Sequence, residues 1–107
     1  MKLIYDNKEI ELTECNSFFS RLKGFMFEKN IKKALLFKHC NSIHTFFMYQ
    51  NIDVIMCDKN NNILYYYQNI KKNQIILPKK NVSKTYETPP MYFNIKLNDK
   101  MEVKKWI

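Results

Sequence analysis

Ile52-Asp53-Val54-Ile55-Met56-Cys57, then Asp58-Lys59-Asn60-Asn61-Asn62, then Ile63-Leu64-Tyr65-Tyr66-Tyr67-Gln68 reads as a strand, a turn and a returning strand. In the first strand Ile52, Val54 and Met56 face one way, and Asp53, Ile55 and Cys57 the other, because side chains alternate along a strand. The turn has no glycine. Asparagine tolerates the left-handed conformation well enough to stand in for it. On the return, Leu64 and Tyr66 share a face, with Tyr65 and Tyr67 opposite.

Working outward, Met1 to Leu12 reads as another hairpin about Asp6-Asn7-Lys8. Ala34 to Phe37, Ile75 to Leu77, and Ser83 to Thr88 read as further extended runs. His44 to Gln50 is β-rich, which puts His44, Phe46 and Met48 on one face. Tyr92 to Ile95 and Met101 to Trp106 read as closing strands about the Asn98-Asp99 turn. Thr13 to Lys23 predicts one short helix, capped by Thr13 or Asn16 and burying Phe18 and Leu22 at i, i+4 spacing, with Phe25 continuing that face. Gly24 follows at the position of a helix-closing glycine. Many short strands with one early helix predict an α+β class: a mainly antiparallel β small barrel or sandwich, in a single domain over 1–107.

Composition bounds the function. The chain has 107 residues, 46% of them hydrophobic, which is enough for one core. It has no apolar run of the ~20 residues a membrane span needs, and its first residues form no apolar signal core, so a cytoplasmic protein is expected. The three cysteines, Cys15, Cys40 and Cys57, are too scattered for a disulfide framework. The net charge is +8, but 17 lysines, 13 asparagines and a single glycine point to drift toward adenine- and thymine-rich codons. The charge therefore does not by itself assign an anionic partner. Against that background one arginine, Arg21, and one glycine, Gly24, stand three residues apart. Lysine cannot supply the planar fork of a guanidinium.

Four motifs then align. Arg21-Leu22-Lys23-Gly24-Phe25-Met26 is similar to R-x-x-G-L-M. Cys40-Asn41-Ser42-Ile43-His44-Thr45-Phe46-Phe47-Met48 is similar to a C-S-I-H-T-x-x-M variant, with Asn41 between the cysteine and the serine. Ile52-Asp53-Val54-Ile55 leads into Asp58, and Tyr86-Glu87-Thr88-Pro89 precedes Asn98-Asp99. In this order they resemble the domain-of-unknown-function 192 family. Phe25 departs from its leucine and Asn98 from its late glycine, and the glycine after the Glu-x-Pro segment is missing. The resemblance implies a compact, mostly β domain with no agreed activity.

The candidate ligand-binding residues are Arg21, His44 and Asp53, with Gly24, Met26, Thr45 and Met48 as structural motif positions. Arg21, Gly24, His44, Met48 and Asp53 are expected to lie together, and Arg21 can pair with Asp53 or Glu87. No complete catalytic set is identifiable. His44 with Asp53 can act as a proton-transfer pair in a small enzyme, and Arg21 can hold an anion. Cys40-x-x-x-His44 meets zinc spacing only if the backbone turns between them, so no metal and no cofactor is assigned. Cys40 and Cys57 read as small buried thiols on neighbouring strands, and Cys15 sits where a helix start lowers a thiol pKa. Tyr65 and Tyr67 beside Lys71, Lys72, Lys79 and Lys80 suggest a stacking surface for single strands, a weaker choice of partner than a protein or a small anionic ligand. The preferred expectation is a binding or protein-interaction module.

Overall fold

The computed structural model describes residues 1–105, so Trp106 of the expected last strand lies outside the described residues. Its strands are β1 (Lys2–Tyr5), β2 (Lys8–Glu14), β3 (Ala34–Lys38), β4 (Ile43–His44), β5 (Ile52–Cys57), β6 (Ile63–Ile70), β7 (Ile75–Ile76), β8 (Lys84–Thr88) and β9 (Glu102–Lys104), with one helix, α1 (Phe18–Lys23). Seven strands form a sheet in the order β6-β5-β8-β3-β2-β1-β9, while β4 and β7 pair separately. Every pair is antiparallel except β2 with β3, which α1 connects. The sheet is a half-barrel. Its two ends approach at one corner, where Ile63 N–H donates to Asp99 O at 2.8 Å and Asn98 N–H donates to Ile63 O at 2.9 Å. The predicted class, mainly antiparallel β with one short helix near the N-terminus, is the observed one.

Two apolar layers explain the runs without polar alternation. Leu3, Leu12, Leu36, Ile55, Cys57 and Tyr86 fill the concave interior. Phe25, Leu35, Phe37, Met48, Ile52, Val54 and Met56 fill the other face. Strands β3, β5 and β8 are therefore covered on both sides, as their near-continuous burial reflects.

The turn chemistry follows the sequence. Seven of the twelve non-glycine residues with positive φ among those described are asparagines. Asp6 and Asn7 (φ 51° and 62°) form a two-residue turn between Tyr5 and Lys8, as hairpin twist favours.

Several local expectations are corrected. β2 runs on through Thr13 and Glu14 to pair with β3, so neither Thr13 nor Asn16 caps the helix. Ser17 does, in a capping box with Ser20. The helix spans six residues and buries none of them; Phe18 and Phe19 are 78% and 79% exposed, and Leu22 is 50% exposed. His44 to Gln50 is not a strand: after the short β4 the chain turns, with Phe47 at φ 62°. Tyr92 to Ile95 carries no strand. A register shift between Met56 and Cys57 lifts Leu64 out of alternation, so Leu64 packs with Tyr67 and not with Tyr66. Cys57 is buried on β5, but Cys40 is a half-buried loop residue whose thiol donates to Ser42 O.

Candidate functional site

The end of α1, the end of β3, β4 and β8 enclose a cleft of about 70 Å³. Its walls include Arg21, Gly24, Phe37, His44, Met48 and Glu87. Four of the five residues expected together are therefore together. The fifth, Asp53, is not among them, and Glu87 takes that place.

Strand parity is the reason. Val54 and Leu35 lie across from Glu87 on the two neighbouring strands, and both belong to the layer under α1. Asp53 sits one residue from Val54 and so points to the concave side. There its Oδ1 accepts from Asn69 N–H at 2.7 Å, and its Oδ2 accepts from Met91 N–H at 2.9 Å. The Tyr66 hydroxyl lies 3.1 Å from that Oδ2. Asp53 is 1% exposed.

Arg21 reaches the cleft because the helix brings it over the end of β3, where Nη1 donates to Lys38 O at 2.8 Å. Among the described residues its guanidinium pairs with neither Asp53 nor Glu87. Among the described residues no protein acceptor meets its other four N–H donors. His44 is half-buried and stacks on Phe46 with centroids 5.2 Å apart. Its Nδ1 accepts from Phe46 N–H at 3.2 Å, which places the proton of a neutral ring on Nε2 and makes that atom a donor.

Glu87 is the unusual group. It is 3% exposed, and among the described residues no donor reaches its Oε1. Burial among apolar side chains pushes its pKa up to about 8, because a charge there loses its hydration without compensation. Cys15 behaves likewise: burial, and then the Glu87 charge, raises its thiol, contrary to the lowered value expected at a helix start.

Gly24 explains its own identity. Its backbone lies at φ 49°, ψ −122°, a positive-φ conformation outside the left-handed helical region and one that L side chains rarely adopt. A Cβ there would stand 3.2 Å from Glu87 Oε1 and 3.6 Å from Phe37 Cζ. Gly24→Ala is expected to cost about 2 kcal/mol through this strain and crowding, measured as a lowered urea midpoint with an unchanged m-value.

The remaining motif residues hold neighbouring turns and loops. Met26 N–H closes the turn onto Lys23 O at 2.7 Å. The buried Thr45 hydroxyl donates to Lys71 O at 2.7 Å and accepts from Gln74 N–H at 2.8 Å. Phe27 and Phe47, both exposed and both at positive φ, stack with centroids 5.6 Å apart, and Phe27 N–H donates to Phe47 O at 3.0 Å. Elsewhere Lys79 Nζ lies 5.7 Å from the Tyr65 ring centroid and Tyr65 stacks on Tyr67. Lys71 and Lys72 border a different depression with Tyr49. Among the described residues no helix is long and apolar enough to cross a membrane, and no group of three His, Cys, Asp or Glu could hold a metal.

Fold and cleft together define a small half-barrel domain with a cleft beneath the one helix of the described residues, walled by apolar side chains and by Arg21, His44 and Glu87. The chain belongs to the domain-of-unknown-function 192 family (DUF192, Uncharacterized ACR), whose profile matches residues 2–103. It is 34% identical over 80 residues to a UPF0127 protein of Thermococcus kodakarensis, covering 69% of this chain and 50% of that one. It is 30% identical over 96 residues to a UPF0127 protein of Thermococcus sibiricus, covering 81% and 62%. The chain thus spans between half and two thirds of those relatives' length. Two crystal structures share the fold. A protein of unknown function from Novosphingobium aromaticivorans has a TM-score of 0.76 at 13% identity, over 95% of this chain and 82% of that one. A protein from Sinorhizobium meliloti, described as a candidate transcription regulator, has a TM-score of 0.77 at 14% identity, over 94% and 89%.

Proposed function

We propose that the domain is a binding module whose cleft takes a small polar group, carried by a ligand or by a partner protein. The observation that supports this most is the orphaned, buried Oε1 of Glu87 in the wall of a cleft that also holds Arg21 and His44. A buried polar atom without a partner costs about 1–3 kcal/mol, and a ligand that satisfies it recovers that cost. Arg21 and His44 are the ligand-binding residues in this reading. Asp53 serves it indirectly, by fixing β5 against β6 and the Met91 loop.

The small-enzyme alternative needs His44 and Asp53 in one place, whereas His44 lines the cleft and Asp53 is bound to Asn69, Met91 and Tyr66 away from it. The nucleic-acid alternative needs Lys71, Lys72, Lys79 and Lys80 in one groove with Tyr65 or Tyr67. Lys79 over Tyr65 supports it, whereas the separate depression beside Lys71 and Lys72 does not.

The test is amide chemical-shift mapping with acetate, phosphate and methylammonium as probes. At least one is expected to saturate shifts at Gly24 and His44. Arg21→Lys is expected to weaken that probe about tenfold, or about 1.4 kcal/mol, while the denaturant midpoint moves by less than the equivalent of about 1 kcal/mol. Absence of shifts with all three probes contradicts the binding reading. A stability loss in Arg21→Lys without weaker binding assigns Arg21 to the fold alone.

A further inference from the structure

We propose that the group taken by this cleft is a carboxylate, gripped by the Arg21 guanidinium and joined to the Glu87 carboxyl through a shared proton. This rests on the cleft being a binding site at all, and it names the ligand class. The donor and acceptor inventory is the argument. Arg21 offers only donors. His44 offers Nε2–H, because its Nδ1 already accepts from Phe46. The Gly24 amide is spent on Ser20 O, so it neither adds to nor competes with these. Glu87 has Leu35 and Val54 across from it and Phe37 in the shared wall. In that setting it is the neutral acid, with one O–H to give.

Three side chains that offer donors line one cleft, and that set calls for an oxyanion. A cation would meet the fixed charge of Arg21. Two carboxyls in contact hold one proton between them, because both cannot ionise. A volume of about 70 Å³ holds several water-sized groups at roughly 10–15 Å³ each, room for a carboxylate and a short stem. The apolar walls of Leu22, Phe37, Ile43 and Met48 suit a short alkyl stem and leave a phosphate's further oxygens unpaired. The titratable or charged groups sharing the cleft wall with Glu87 are Arg21 and Lys23 from α1, His44 from β4 and Cys40 from the loop before it, and Cys15, just after β2, lies close enough for the Glu87 charge to act on its thiol. The cross-strand neighbours Leu35 and Val54 bring no charge.

The experiment is an NMR titration of the full chain with sodium acetate at pH 7 and pH 9.5, at constant ionic strength, alongside phosphate and methylammonium. Acetate is expected to saturate shifts at Gly24, His44 and Glu87 at pH 7 and to bind at least about tenfold more weakly at pH 9.5, as the shared proton is lost. Glu87→Gln keeps an N–H donor and loses the titration, so it should bind acetate equally at both pH values. Shifts at Gly24 and His44 with phosphate or methylammonium but not acetate overturn the carboxylate while leaving the binding site standing. No shifts with any probe overturn both. Acetate binding that ignores pH in the wild type overturns the shared proton, and this arm stands even if Glu87→Gln fails to fold. A short peptide with a free C-terminus, against its amidated form and propionate, separates the two sources. Tighter binding of the free-terminus peptide than of propionate places the carboxylate on a chain end, and the reverse places it on a small acid.

Discussion

Glu87→Gln is expected to become progressively more stable relative to wild type as pH rises from 4 to 9, by on the order of 4 kcal/mol across that range. The folded chain holds Glu87 protonated up to about pH 8, whereas the unfolded chain releases the proton near the ordinary glutamate value of 4.5. Below about 4.5 both states are protonated and the group is neutral in its effect. Between about 4.5 and 8 the unfolded state binds fewer protons, so stability falls with rising pH. Above 8 both states are ionised and the loss levels off. Each unit of separation is worth about 1.4 kcal/mol, which sets the size. Glutamine has no titration, so urea midpoints of the two proteins measured at each pH isolate the effect. The difference between variants, not the absolute stability, carries the prediction, because the amide hydrogens have costs of their own that do not vary with pH.

Asp53→Ala is expected to destabilise the fold by about 3 kcal/mol or more, without moving any residue of the cleft directly. The carboxylate satisfies the backbone N–H groups of Asn69 and Met91 and approaches the Tyr66 hydroxyl. Taking a charged acceptor from two part-buried backbone donors costs about 1.5–3 kcal/mol each. The loss should appear as faster amide exchange at Asn69 and Met91. A loss below about 1 kcal/mol would mean that water replaces the carboxylate there at little cost.

Much of the architecture was legible because the residues that specify it act locally. The β5–β6 hairpin followed from alternation and from Asn60 to Asn62, and Asn61 does take the positive φ. The pairing of Arg21 with Gly24 as the exceptional residues also led to the cleft. Misreadings came where tertiary structure overrides local pattern. Phe18 and Leu22 have the spacing of a buried helical face, yet six residues at about 1.5 Å each make a helix too short to lay a face on the sheet, and both are exposed. His44 to Gln50 has strand-forming residues, but Phe47 turns the chain.

The site was half legible. The alternation that put Asp53 beside Ile55 and Cys57 already placed it opposite Val54, and only the helix layer's choice of face was missing. By sequence Glu87 is open to Arg21 as a partner, and its burial between two strands is what makes it an unpaired acid instead. No sequence signal distinguishes a strand acid facing a neighbouring guanidinium from one facing a cleft; that depends on Gly24, whose missing Cβ lets the carboxyl approach.

The most direct measurement is the side-chain carboxyl carbon shift of Glu87, followed by NMR across pH 3 to 10 in the chain without added ligand. A midpoint near 8 is expected for a neutral acid held in the cleft wall. A midpoint near 4.5 would mean an ionised Glu87 already compensated within the fold, and would contradict both the orphaned carboxyl and the site built on it.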